Sequence, residues 1–167
     1  MKNVVFESNI ISVYEEKIRT EREKRVITLE SPDWVNIIPV TKNNQVVFVK
    51  QFRFGSKSET LEIPGGMIDD HEAPNIAAAR ELFEETGYAC GKIIKLGNIS
   101  PNPALFNNRV ITFLGEGAYL KEVNINNQDE INEIVLVDLN DVPRLLKTNV
   151  IDHALVIAAF HLMNLNK

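Results

Sequence analysis

At 167 residues the chain has the length of one domain with room for a small appended element, enough to bury a core without covalent staples. Its 44% hydrophobic and 25% charged content is that of a soluble globular protein. A net charge of −5 gives no basic footprint for nucleic acid or an anionic membrane, and it would repel a phosphorylated substrate unless cations intervened. The single cysteine, Cys90, excludes an internal disulfide and a cysteine-built zinc site, and it reads as a small packing residue. No apolar run approaches the ~20 residues of a membrane span. The opening MKNVVFESNIISVYEE acquires acid too early for a signal peptide, so the expectation is a cytoplasmic enzyme or binding protein.

In chain order, residues 3–6, 10–19 and 25–30 carry β-branched and aromatic residues in partial alternation. They predict a small strand-rich element over residues 1–30, ahead of a main domain over 31–167. WVNIIPV (34–40) and QVVFVKQFR (45–53) flank the turn signal Lys42-Asn43-Asn44 and predict a hairpin. A loop or short strands surround Ile63-Pro64-Gly65-Gly66. A helix then runs from Pro74, suited to a first turn, to about Thr86, with Gly87 as its C-terminal stop. Its expected core stripe is Ile76, Ala79, Leu82 and Phe83, with Glu81, Glu84 and Glu85 on the other side. Strands over 92–99 and 109–118 flank the loop SPNPALFNN (100–108). The acidic, Asn-rich stretch 124–133 leads into a strand over 134–139, Asp141-Val142-Pro143 opens a short helix, and 149–164 predicts a terminal helix. This mixed order argues for an α+β fold, a layered sheet with helices on its faces. His153 and His161, eight apart on that last helix, are too widely spaced for joint metal ligation; with His71 they read as structural or solvent-facing.

The helix over 74–86 poses a chemical question. Glu81, Glu84 and Glu85 lie at i, i+3 and i+4, where each like-charge pair costs roughly 0.2–0.5 kcal/mol. They also crowd the helix C-terminus, where the macrodipole disfavours anions. Hard divalent cations take oxygen ligands, and Mg²⁺ binds through a few carboxylates plus substrate phosphates and water. Three carboxylates on one turn form such a seat, and a cation there would bridge an anionic protein to an anionic substrate.

Read with the preceding loop, GGMIDDHEAPNIAAARELFEETGY places Glu72 six positions after Gly66 and Arg80 eight further on. Glu81, Leu82, Glu84, Glu85 and Gly87 follow. This resembles the Nudix box, G-x5-E-x7-R-E-U-x-E-E-x-G-U, with U a bulky aliphatic; the one departure is Tyr88 at the last U. The resemblance implies a Nudix fold, an α/β/α sandwich of mixed sheets. It implies Gly65 (through its carbonyl), Glu81, Glu84 and Glu85 as ligands of Mg²⁺, for which Mn²⁺ can substitute. It implies Glu72 and Arg80 as a charge-assisted brace between loop and helix, and Gly66 and Gly87 as conformational positions.

Upstream, Gln51, Arg53, Glu62, Pro64 and Gly66 resemble the Q-x-R and E-x-P-x-G of ADP-ribose pyrophosphatases and related nucleoside diphosphate sugar hydrolases. That subgroup implies Gln51, Arg53 and Glu62 as substrate-binding residues. Arg53 would contact phosphate or the terminal ribose; Glu62 would accept hydrogen bonds from base or sugar, or orient Arg53. Pro103, 16 residues after Gly87, matches a proline of the subgroup, while the surrounding SPNPALFNN is less typical of it. Phe106 would stack on a base or anchor its loop. A loop glutamate completes the metal site or acts as general base in the related hydrolases; Glu130 matches it best and Glu133 is the alternative, which makes Glu130, Glu133, Glu84 and Glu85 the catalytic set.

The resemblance thus implies Mg²⁺-dependent hydrolysis of a pyrophosphate bond, with ADP-ribose giving AMP and ribose 5-phosphate. It also implies a homodimer formed through the N-terminal strands, with neither nucleic acid nor membrane as partner. GDP-mannose or another sugar nucleotide, an oxidised nucleoside triphosphate, and a Nudix-fold ligand sensor without turnover stand as alternatives.

Overall fold

The computed structural model describes residues 2–19, 22–122 and 131–166. Three N-terminal strands, β1 (Lys2–Glu7), β2 (Ser12–Arg19) and β3 (Glu23–Glu30), form an antiparallel sheet in the order β1-β2-β3. β1 is exposed along its whole length.

β4 (Trp34–Thr41) and β5 (Gln45–Arg53) are joined by the expected turn, in which Asn44 takes a left-handed φ of 59°. The two strands pair at Val40 and Val46 and then take different neighbours. β6 (Ser58–Glu62) pairs with β5, and β7 (Gly65–Met67) pairs with β4, so residues 58–67 occupy the opening of the hairpin. This places Gly65 opposite Asn36 and Gly66 opposite Val35. A Cβ on Gly65 would lie 2.4 Å from the Val35 carbonyl oxygen, so the close approach of the two backbones requires glycine there.

Helix α1 (Pro74–Thr86) follows, then β8 (Tyr88–Ala89), β9 (Lys92–Ile99), β10 (Val110–Leu120) and β11 (Ile131–Asp138). A single 3-10 turn, Leu139–Asp141, leads into α2 (Val142–Lys147), and α3 (Ala154–Leu165) ends the chain. The main sheet has eight strands on the path β11-β5-β4-β10-β8, with β6, β7 and β9 added at β5, β4 and β10. β4 and β10 run parallel and the other pairs antiparallel.

Alternation along β4 divides the core. Ile38 packs on the α3 side with Phe48, Ile151, Val156 and Phe160, and the Phe48 and Phe160 rings stack 5.9 Å apart. Val35 and Ile37 pack on the α1 side with Ala77, Ala78, Leu82, Ile111 and Phe113. With helices on both faces of a mixed sheet, the fold is the expected α+β sandwich carrying an N-terminal antiparallel sheet.

Three helix expectations need correction. Ile76 is 55% exposed, and Ala77 and Ala78, with Leu82, are the apolar residues of the helix buried against the sheet. Glu85 lies on the buried side with Leu82 and Thr86, not on the outer face. The terminal helix begins at Ala154 instead of 149. Asn149 is left-handed at φ 55°, Val150 N–H donates to the Leu145 carbonyl, and His153 is extended, so residues 149–153 form the connection from α2.

The loop 100–108 ties the N-terminal sheet to the main body. Leu29 N–H donates to Leu105 O at 2.8 Å and Asn107 N–H donates to Leu29 O at 3.2 Å. The Phe106 ring packs 6.0 Å from that of Trp34.

Candidate active site

Arg80 organises the acid face of α1. Its Nε and Nη2 donate to the two carboxylate oxygens of Glu72 at 3.0 and 2.9 Å, and Nη2 also donates to the Met67 carbonyl at 3.0 Å. Its Nη1 donates to Glu81 Oε1 at 2.8 Å and to Glu84 Oε2 at 3.1 Å. One planar guanidinium therefore joins the loop before the helix to two of the three crowded acids. The Arg80 hydrogen bond holds the Glu72 carboxyl below the usual range, and the same contact holds the guanidinium firmly charged.

The third acid is set differently. Glu85 is 6% exposed and accepts a hydrogen bond from Gly65 N–H at 3.3 Å. Burial, reinforced by the negative charge of Glu81, pushes its carboxyl up to about 8 despite that hydrogen bond. Burial also raises the Glu81 carboxyl, against the pull of Arg80. Glu81 lies directly over the glycine loop: a Cβ on Gly66 would meet its Oε1 at 2.4 Å. At the far end of the helix Gly87 takes φ 70°, its N–H donates to Phe83 O, and a Cβ there would strike the Glu122 carbonyl oxygen at 2.0 Å.

These donors fit a hard divalent cation. Among the described residues no three acidic, histidine or cysteine side chains close into a metal cage. The arrangement is an open seat: carboxylates of Glu81 and Glu85 lie beside the Gly65–Gly66 backbone, the second buried where a bare negative charge is disfavoured, and Glu84 stands further out on Arg80. An open seat suits an ion that keeps water and substrate oxygens in its shell.

Gly65 and Gly66 also line a cavity of about 800 Å³ that runs along β4 to the start of α3. Its wall carries Arg53, Thr60 and Glu62. Arg53 Nε and Nη2 donate to Glu62 Oε1 and Oε2, each at 2.7 Å, and Thr60 Oγ1 donates to Glu62 Oε1 at 2.6 Å. Burial opposes the charge on Glu62, but the hydrogen bonds from Arg53 and Thr60 outweigh it and hold the carboxyl low. Glu62 is thus an ionised anchor that fixes the Arg53 guanidinium.

Other expected positions lie elsewhere. Gln51 is buried within β5 and does not line the cavity. Pro103 is exposed on its loop, and Phe106 contacts Trp34 outside the cavity lining. Glu133 is exposed on β11 opposite Lys50. Glu130 lies outside the described residues.

The cavity also includes residues that the sequence did not assign to the site: Trp34 and Asn36 on β4, and Asp152 and His153 before α3. His153, expected to be structural or solvent-facing, has its Nε2 3.8 Å from Glu62 Oε2. Placing the helix start at 149 had hidden it inside a helix. The Asp152-His153 pair just before the apolar run is the signal that would have exposed it.

Comparison with known proteins agrees with this geometry. The NUDIX domain profile matches residues 31–160. The ADP-ribose pyrophosphatase of Bacillus subtilis (strain 168) is 32% identical over 151 residues, 88% of this chain and 81% of the relative. The methanol dehydrogenase activator of Bacillus methanolicus is 29% identical over 144 residues, 85% of this chain and 77% of the relative. A crystal structure of an ADP compounds hydrolase has the same fold, with a TM-score of 0.83 and 21% identity over 98% of this chain and 90% of that one. Divalent-metal dependence is general among the hydrolases of this family. The brace between Glu72 and Arg80, the acid face of α1 and the glycine loop against β4 form one unit inside the matched span, and the chain belongs to the Nudix family.

Proposed function

We propose that the chain hydrolyses the pyrophosphate bond of ADP-ribose to AMP and ribose 5-phosphate, with Mg²⁺ as its cation. The observation that carries this reading is the continuity of the open carboxylate seat with a cavity large enough for a sugar nucleotide, through Gly65 and Gly66. Two features support the subgroup: the wall on which Glu62 fixes Arg53, and a relative named ADP-ribose pyrophosphatase that aligns over most of both chains.

In this reading Glu81, Glu84 and Glu85, with the Gly65 carbonyl, hold the cation. When bound, it polarises a phosphoryl oxygen and lowers the pKa of the attacking water. Arg80 keeps Glu81 and Glu84 in place, and Arg53 presents fixed positive charge to the diphosphate from the cavity wall. Glu130 is assigned as the general base, with Glu133 as the alternative.

The test is a substrate panel read by product identification: ADP-ribose, GDP-mannose, other sugar nucleotides, NADH, dinucleoside polyphosphates and triphosphates. ADP-ribose is expected to be cleaved with the highest kcat/KM. Turnover of triphosphates alone would overturn the reading.

We further propose that the N-terminal sheet mediates a homodimer. Val4, Val5 and Phe6 are 57%, 61% and 56% exposed, so β1 presents apolar side chains on both of its faces. The double substitution Val4→Lys, Phe6→Lys should halve the mass seen by sedimentation equilibrium without unfolding the main sheet. An unchanged dimer mass would place the interface elsewhere.

A further inference from the structure

The polar groups on the cavity wall differ in the hydrogen-bonding capacity left to them. Glu62 is occupied: Oε1 accepts from Arg53 and Thr60, and Oε2 accepts from Arg53. Three groups at the α3 end are not. Asn36 is 6% exposed, and its Nδ2 faces the Leu155 carbonyl at 3.5 Å. A carbonyl can only accept, so this contact fixes which way the amide points and leaves Oδ1 as an acceptor with no protein partner. His153 has a buried Nδ1 with no protein partner, and its Nε2 stands beyond hydrogen-bond reach of Glu62. The start of α3, which lines the cavity at Ala154, Leu155 and Val156, has no side-chain cap; the Val156 and Ile157 N–H groups donate to the His153 carbonyl, so the N–H groups open to a ligand are those of Ala154 and Leu155.

Buried polar groups without partners cost about 1–3 kcal/mol each. Two such side-chain atoms, Asn36 Oδ1 and His153 Nδ1, beside the uncapped start of α3 point to a ligand that both donates and accepts. The ionised phosphates of a diphosphate ester carry no proton to donate to Asn36 Oδ1. An amine cannot accept from the helix N–H groups. Asp152, on the same wall, also disfavours an anion there. A hydroxyl does both and carries no charge.

We propose that the α3 end of the cavity is a subsite for sugar hydroxyls, and that Asn36 and His153 are the residues that read them. The inference rests on the pyrophosphatase reading only for the identity of the molecule that brings the sugar. Two sources share the chemistry: the ribose of the nucleoside half, and the sugar beyond the diphosphate.

The experiment uses the full chain and calorimetric binding of AMP, ribose 5-phosphate and inorganic phosphate, with the fluorescence of Trp34, the only tryptophan and a cavity residue, as a second readout. Asn36→Ala and His153→Ala should each weaken a ribose-bearing ligand roughly 10–100-fold while leaving inorganic phosphate unchanged. Loss confined to ribose 5-phosphate assigns the subsite to the distal sugar, and loss confined to AMP assigns it to the nucleoside. With ADP-ribose, KM should rise while kcat stays within about threefold, and His153→Asn should recover part of the affinity.

Thr112, in register with Asn36 on β10 and also buried without a protein partner, supplies the control. Thr112→Val should change thermal stability but not binding. Folded Asn36 and His153 variants that bind AMP and ribose 5-phosphate as the wild type does would overturn the proposal. So would equal weakening by Thr112→Val, which would make the polar patch structural. Since binding is read without turnover, sugar-phosphate binding that depends on Asn36 in a protein inert towards ADP-ribose would remove the pyrophosphatase reading and leave the subsite.

Discussion

Glu85→Gln is expected to abolish turnover and, in the same protein freed of metal, to raise stability at neutral pH. The two effects have one cause. Glu85 is buried beside Glu81, with the Gly65 N–H as its hydrogen-bond donor. Its carboxyl titrates near 8 in the folded chain against an ordinary 4.5. Between those values the unfolded chain has released the proton and the folded chain retains it, so the folded state binds more protons and stability falls as pH rises. The loss begins above about 4.5 and is complete once pH passes about 8. Glutamine carries no charge and escapes the loss. In EDTA at pH 8 the variant should melt higher by on the order of 3–6 °C, an effect of about 1–2 kcal/mol for a chain of this size. At pH 4.5 the two proteins should melt together. A divalent cation should raise the wild-type midpoint and leave the variant's nearly still, and kcat should fall by roughly 100-fold or more. Equal melting at pH 8 would show that Glu85 carries no buried charge.

Arg80→Ala is expected to be the most destabilising single change on the acid face. It removes five hydrogen bonds to Glu72, Glu81, Glu84 and the Met67 carbonyl. Removing one partner of such a network leaves the others half-buried and unpaired, at about 2–4 kcal/mol here because Arg80 retains some solvent contact. Thermal melting should drop by on the order of 5–15 °C. Activity should fall even below the melting range, because Glu81 and Glu84 lose the group that spaces them. Arg80→Lys should recover only part of both, since a point charge cannot span the two oxygens of Glu72 and two further acids. A lysine variant with wild-type stability and kcat would show that charge alone, without the planar fork, suffices.

Much of the site was legible because its chemistry is local in sequence. Arg80 and the three acids fall on one helix, where their spacing puts them within a turn or so of each other, and Gly66 and Glu72 lie in the short segment just before it, within reach of the Arg80 and Glu81 side chains. Glu85 shows the limit of that reading. A helical wheel groups it with Glu81 and Glu84, but the angle at which α1 meets the sheet turns it inward, and only tertiary packing sets that angle. The same packing decides between Ile76 and the two alanines. The cavity wall was legible in part: Arg53 and Glu62 stand nine residues apart on paired strands, but the register sets Arg53 opposite Ser58 and Glu62 opposite Val49, and their contact needs the long guanidinium side chain to reach back along the sheet. Asn36 and His153 were not legible. They are 117 residues apart and line one cavity only because β4 packs against the start of α3, where Asn36 reaches the Leu155 carbonyl. Asn36 in WVNIIPV is the one polar side chain between apolar neighbours, and that interruption was the available signal. Phe106 could be read as a stacking or an anchoring residue, and its place beside Trp34 and β3 could not be foreseen without knowing that loop 100–108 clamps the N-terminal sheet.

The most direct measurement follows the products of ADP-ribose by phosphorus NMR, with wild type and Glu85→Gln compared in Mg²⁺ and in EDTA. The wild type with Mg²⁺ should convert ADP-ribose to AMP and ribose 5-phosphate in equal amounts, and both the chelated enzyme and the folded variant should leave it intact. Equal turnover by Glu85→Gln, or an intact ADP-ribose signal with wild type and Mg²⁺, would contradict the assignment.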